Sequence, residues 1–147
     1  MISFPPFHSD VSFYDQVDHA SPAAGTGFSL TFTQNILRSI VSMHWSFIAG
    51  AGVANRYVEL FFQRGSGGYL FQYRSPVPIL AGEICQWSAF VGAPLSQHVA
   101  GSGTGLWPLP PDTFLTNGDG IFIVIYGILA ADTLVGITIQ SKIWRTD

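Results

Sequence analysis

Alternation is the feature that most limits what this chain can become. From Phe28 onward, large apolar residues recur at every second position: Phe28, Leu30 and Phe32 stand between Ser29, Thr31 and Thr33. A period of two sends successive side chains to opposite faces of an extended strand, whereas a helix needs a period near 3.6. Val41, Met43, Trp45 and Phe47 are expected on one face, opposite Ser42, His44 and Ser46. Residues 57–63, 69–74 and 83–91 read as further strands, and Val135, Ile137, Ile139 and Ile143 alternate with Gly136, Thr138, Gln140 and Lys142. Residues 121–129 are apolar on both faces, as in a strand covered on both sides. No window carries a helical period.

Turn residues separate these runs. The Arg-Gly-Ser-Gly-Gly stretch at 64–68 reads as a hairpin loop, and Asn-Gly-Asp-Gly at 117–120 is a strong turn signal. Pro76 and Pro78 mark a short edge segment, and residues 92–120 leave room only for short strands. About eight strands at short spacing predict an all-β fold, an antiparallel β-sandwich or jelly roll. The 147 residues suit one core. Residues 1–26 show no period, and Pro5 and Pro6 favour an extended path. They carry Phe4, Phe7, Phe13 and Tyr14, apolar groups that would order by docking on a neighbouring chain. The expected organisation is an extended N-terminal arm, 1–26, followed by a sandwich, 27–147.

Composition bounds the partners. Charged residues make up 10% of the chain, against roughly 25% in average soluble proteins, while 48% of residues are hydrophobic. So few charges suit a surface that meets other protein, and a homotrimer or similar ring is expected. Six cations spread from Arg38 to Arg145 build no phosphate-binding patch, so no nucleic acid is expected. No apolar run approaches the roughly 20 residues of a membrane helix. The apolar 121–129 strand lacks the polar lumen face of a membrane barrel. No membrane partner is expected. The first residues do not resemble a signal peptide, and the lone Cys85 excludes an internal disulfide and fits synthesis in a reducing cytoplasm.

Chemistry-bearing residues are sparse. His8, His19, His44 and His98 lie apart, and the Asp15, Asp18, His19 cluster reads as solvated polar residues rather than a cation site. Gly-Ser-Gly-Thr-Gly at 101–105 is not a nucleophile elbow, which needs a following helix. Glu59 and Glu83 are the only glutamates, and nothing pairs them as acid and base. No enzyme activity, cofactor or metal is expected. Of four tryptophans, Trp45 and Trp87 belong to core strands, while Trp107 and Trp144 are candidate platforms for stacking on sugar rings. Cys85 reads as a small buried hydrophobe.

The run W-S-F-I-A-G-A-G-V-A-N-R-Y-V-E-L at 45–60, followed by S-P-V-P-I at 75–79, A-G-E at 81–83, Leu109-Pro110, Gly118-Asp119 and Ala131-Asp132 before a strand ending in Trp144, resembles small β-sandwich virion structural proteins of tailed bacteriophages. The likeness spans about residues 37–145. It implies a non-enzymatic virion protein of the head decoration (cement) type, stabilising a capsid through contacts with the major capsid protein. Neck, tail or fibre-associated proteins, or a carbohydrate-binding sandwich, are the alternatives. Under this resemblance Gly50, Gly52, Asn55 and Arg56 form a structural turn, with Arg56 satisfying loop carbonyls or pairing with a carboxylate.

Overall fold

The alternating runs become strands because each buries one face and leaves the other wet. The computed structural model describes residues 12–96, 103–111 and 113–144. It contains ten strands: β1 (Ser12–His19), β2 (Phe28–Thr31), β3 (Leu37–Ile48), β4 (Tyr57–Gln63), β5 (Tyr69–Arg74), β6 (Ile84–Val91), β7 (Thr104–Leu109), β8 (Phe114–Leu115), β9 (Gly120–Tyr126) and β10 (Thr133–Trp144). They form a six-stranded sheet, β1-β10-β3-β6-β7 with β8 beside β3, and a four-stranded sheet, β2-β9-β4-β5. The pairing is nested. β1 pairs with β10, β2 with β9, β3 with β6 and β4 with β5, all antiparallel. Folding a chain back on itself in this way and rolling the ribbon into two layers yields a jelly roll. β7 and β8 are additions to it, and β7 runs parallel to β6.

Two sheets enclose one core, with the inward residues of β9 (Ile121, Ile123, Ile125) facing those of β3 and β10. Its densest part is aromatic. Trp45 and Trp87 are directly paired across β3 and β6, their rings 6.2 Å apart, and Trp107 packs 5.6 Å from Trp45 and 6.1 Å from Trp87. Small partners make room for the rings: Gly105 lies opposite Trp87 and Ala89 opposite Trp107.

Four expectations change. Residues 12–19, assigned to an arm lying across another chain, pair along their whole length with β10 of their own chain. Residues 1–11 of that arm, with Phe4 and Phe7, lie outside the described residues. Val41 does not join Met43, Trp45 and Phe47. A bulge between the Gln140 and Ser141 pairings shifts the phase, so Ile40 enters the core and Val41 is only half-buried. A second bulge sets Gly136 and Ile137 opposite Trp45 alone, so Leu134 takes the core position expected of Val135. Gly136 has φ +64°, a conformation that disfavours residues with a Cβ. Finally, β9 ends at Tyr126, and residues 127–131 form the turn into β10 rather than continuing the strand.

Candidate functional site: a clamped apolar end

The loops at the two ends of the sandwich differ in chemistry. At one end lie residues 49–56 between β3 and β4, 80–83 before β6, 127–132 between β9 and β10, and the turn at 23–26. A buried ion pair holds them. Arg56 Nε donates to Asp132 Oδ2 at 2.6 Å, and both side chains are fully buried. The other guanidinium nitrogens donate to the carbonyls of Ala54 (3.2 Å) and Gly52 (2.8 Å). Asp132 in turn accepts the backbone N–H of Gly50 and of Leu129, each at 2.7 Å. Backbone bonds extend the clamp: Gly25 N–H to Asp132 O, Gly82 N–H to Gly50 O, and Ala49 N–H to Glu83 O. Burial alone would raise the Asp132 carboxyl, but the bonds from Arg56, Leu129 and Gly50 and the Arg56 charge hold it below its ordinary value. Four loops therefore close around one charge pair whose donors and acceptors are satisfied within the loops.

What the clamp presents is apolar. Val53 is 97% exposed, and Leu80, Leu129, Ala51, Ala81, Ala130 and Ala131 stand exposed around it. The nearby charges are withdrawn: Asp132 is sealed, and Glu83 accepts the Leu80 N–H at 2.9 Å. The opposite end is polar, with Gln34, Asn35, Arg64, Ser66 and Asn117 exposed. There Asp119 is the joint, accepting Arg64 Nη1 (2.9 Å), Thr116 N–H (2.9 Å) and Gly65 N–H (3.1 Å). Its carboxyl is likewise held low: burial opposes ionisation, and the bonds from Thr116, Gly65 and Arg64 outweigh it.

A second surface lies on the outer face of the four-stranded sheet. Phe61 stacks on its neighbour Phe122 (4.9 Å), and Tyr69 meets Phe61 edge-on (5.2 Å). The Arg74 guanidinium sits over Tyr126 (4.3 Å) and Tyr57 (5.1 Å). Glu59 is buried beneath them, accepting Gln72 Nε2 and the Tyr126 hydroxyl. Burial, with the Glu59 charge and hydrogen bond, pushes the Tyr126 phenol up. This rank was hidden in the sequence because β9 is apolar on both faces, which does not reveal which face turns outward.

The other candidate residues fall as follows. Gly50, Gly52 and Arg56 belong to the clamp, and Asn55 is exposed beside it. Trp107 is fully buried and cannot stack on a sugar, because β7 adds to the sheet and turns this side chain into the core. Trp144 is half-buried, edge-on to Phe114 and beneath Lys142 Nζ. Phe13 and Tyr14 are exposed on β1. Asp15 and His19 point to the opposite side of β1 from Asp18, which accepts Thr138 Oγ1; a strand cannot converge all three on one ion. His44 shares a 2.9 Å hydrogen bond with Ser88 on the outer face. Cys85 is fully buried, and burial, aided by the Glu83 charge, pushes its thiol up to about 11. His8 and His98 lie outside the described residues.

Fold and site together define a class: a jelly-roll sandwich with one rigid apolar end and one polar end. No protein-family model, no curated protein and no solved structure matches the chain.

Proposed function

We propose that this chain is a non-enzymatic structural protein that adheres to a larger protein shell, in the manner of a phage head decoration protein, and acts in the virion. The observation that carries the proposal is the clamped apolar end. A 97%-exposed valine on a loop pinned by a buried ion pair is costly to leave in water and is preorganised for a contact. The polar end then faces solvent. The aromatic face of the four-stranded sheet supports contacts between copies, as a homotrimer or similar ring around each attachment point. The major capsid protein is the proposed receiver; a neck, tail or fibre protein would use the same end.

The test mixes purified protein with undecorated heads and measures co-sedimentation and the resistance of the heads to heat. Attachment with a gain in resistance is expected, lost in Val53→Asp while that variant keeps its Tm. Absence of attachment, or unchanged attachment by Val53→Asp, would overturn the proposal.

A further inference from the structure

At the polar end, a sequence prone to deamidation sits in a fold that restrains it. Asn117 is the one asparagine in the chain followed by glycine. A glycine nitrogen, with no Cβ beside it, is free to attack the preceding Asn side-chain carbonyl and close a five-membered ring. The side chain is available: Asn117 is exposed, and its amide donates to Asn35 Oδ1 at 3.2 Å. The nucleophile is not. Gly118 N–H donates to the Phe32 carbonyl at 2.7 Å, and Phe32 N–H bonds the Asp119 carbonyl in return at 2.9 Å. Phe32 is itself anchored, buried with the Arg38 guanidinium carbon 4.2 Å from its ring centroid. The neighbouring ring-closing pair, Asp119-Gly120, is fixed at its carboxylate by Arg64, Thr116 and Gly65.

This restraint hangs on a short strand. The Phe32 bonds continue the ladder of β2, which has four residues, lies at the edge of its sheet and among the described residues pairs with β9 alone. Short edge elements are the first to open locally. We infer that Asn117 is a modification site gated by β2, deamidating only in molecules whose Phe32–Gly118 bond has opened. Gly118 N then gives up its proton and bonds to Asn117 Cγ, the Cγ–Nδ2 bond breaks, and ammonia leaves with the proton. Water opens the ring to aspartate or isoaspartate, so solvent is the only co-reactant. Either product removes the donor to Asn35 Oδ1, and isoaspartate lengthens the backbone beside Phe32. A transient opening of the edge strand is thereby recorded as a permanent charge at the polar end.

The test holds the full chain at neutral pH, native and in denaturing urea, and follows residue 117 by peptide mass spectrometry with isoaspartate resolved. Native protein should deamidate about a hundredfold more slowly than the unfolded chain, the ratio being set by the population of the open form. Phe32→Ala, which removes the buried anchor, should speed the reaction of the folded protein about tenfold. Hydrogen exchange at the Gly118 amide of the parent should be slowed by the same factor as deamidation, which decides the matter even if Phe32→Ala does not fold. The inference is overturned if native and unfolded chains deamidate alike, if folded Phe32→Ala reacts at the parent rate, or if the Gly118 amide exchanges without protection.

Discussion

Arg56 illustrates how much one side chain can organise. It is the only cation among the described residues with a fully buried side chain that is also ion-paired, and it reaches three acceptors at once. Arg56→Ala leaves Asp132 charged and buried and frees two carbonyls, so a loss of about 3–5 kcal/mol is expected in denaturant unfolding. Arg56→Lys should not restore it, because one ammonium cannot span the fork. The carboxyls of Asp132 and Asp119 are both held below 3.8 in the folded state. Their contribution is therefore full at neutral pH and is lost as pH falls below about 4 and through the lowered folded values. Thermal melts from pH 6 to pH 2 should show Tm dropping in that acid window, and Asp132→Asn should flatten part of the drop. Cys85, with its pKa raised to about 11 and no exposed surface, should resist thiol reagents at pH 8 until the protein is unfolded; labelling of the native protein at the rate of the unfolded chain would contradict this.

Strands and turns set the phase of the side chains. At the Gly136 bulge a Cβ would meet nothing within 4 Å, so only the positive φ resists substitution. Gly136→Ala should cost about 1–2 kcal/mol. Gly127→Ala should cost more, because its Cβ would collide with the Asn55 carbonyl oxygen in addition to sitting at φ +75°. Equilibrium unfolding of the two variants, side by side, checks the order. β1 carries a further prediction. Removing residues 1–26 strips a strand that pairs with eight positions of β10 and uncovers its edge. Tm should fall by roughly 10 °C or more, where a true arm would leave it unchanged. β1 escaped notice because both its faces are polar or open: Tyr14, Gln16 and Asp18 on one side, Asp15, Val17 and His19 on the other. Periodicity reports burial, and an edge strand with little burial leaves no period to read.

Across the molecule, the two ends and the outer sheet face divide the work proposed for it. If the aromatic face joins copies, Val124→Lys, which places a charge at its centre without touching the clamp, should convert an oligomer to a monomer in light scattering while keeping the melt cooperative. Attachment through the apolar end would then weaken by loss of avidity rather than of contact. An unchanged oligomer would move the copy–copy contact elsewhere.

The all-β class, the two-layer architecture and the burial of Trp45, Trp87 and Cys85 were legible in the chain, because alternation and turn residues act locally and each strand carries its own burial pattern. A turn around Arg56 was implied only by the resemblance carried by the G-x-G-x-A-N-R run. Its acceptor was not announced, since Asp132 lies 76 residues away and meets it only when β9 and β10 bring the loops together. The same holds for Trp107, whose neighbours Gly105 and Pro108 suggest a surface loop until β7 adds in parallel to β6 and buries it. It holds too for the outward-facing aromatic residues, Phe61 on β4 and Phe122 and Tyr126 on the apolar β9. Local pattern specifies which residues alternate. Which face turns inward, and which distant charge answers another, is a property of register and long-range pairing, and those exist only once the sheets have assembled.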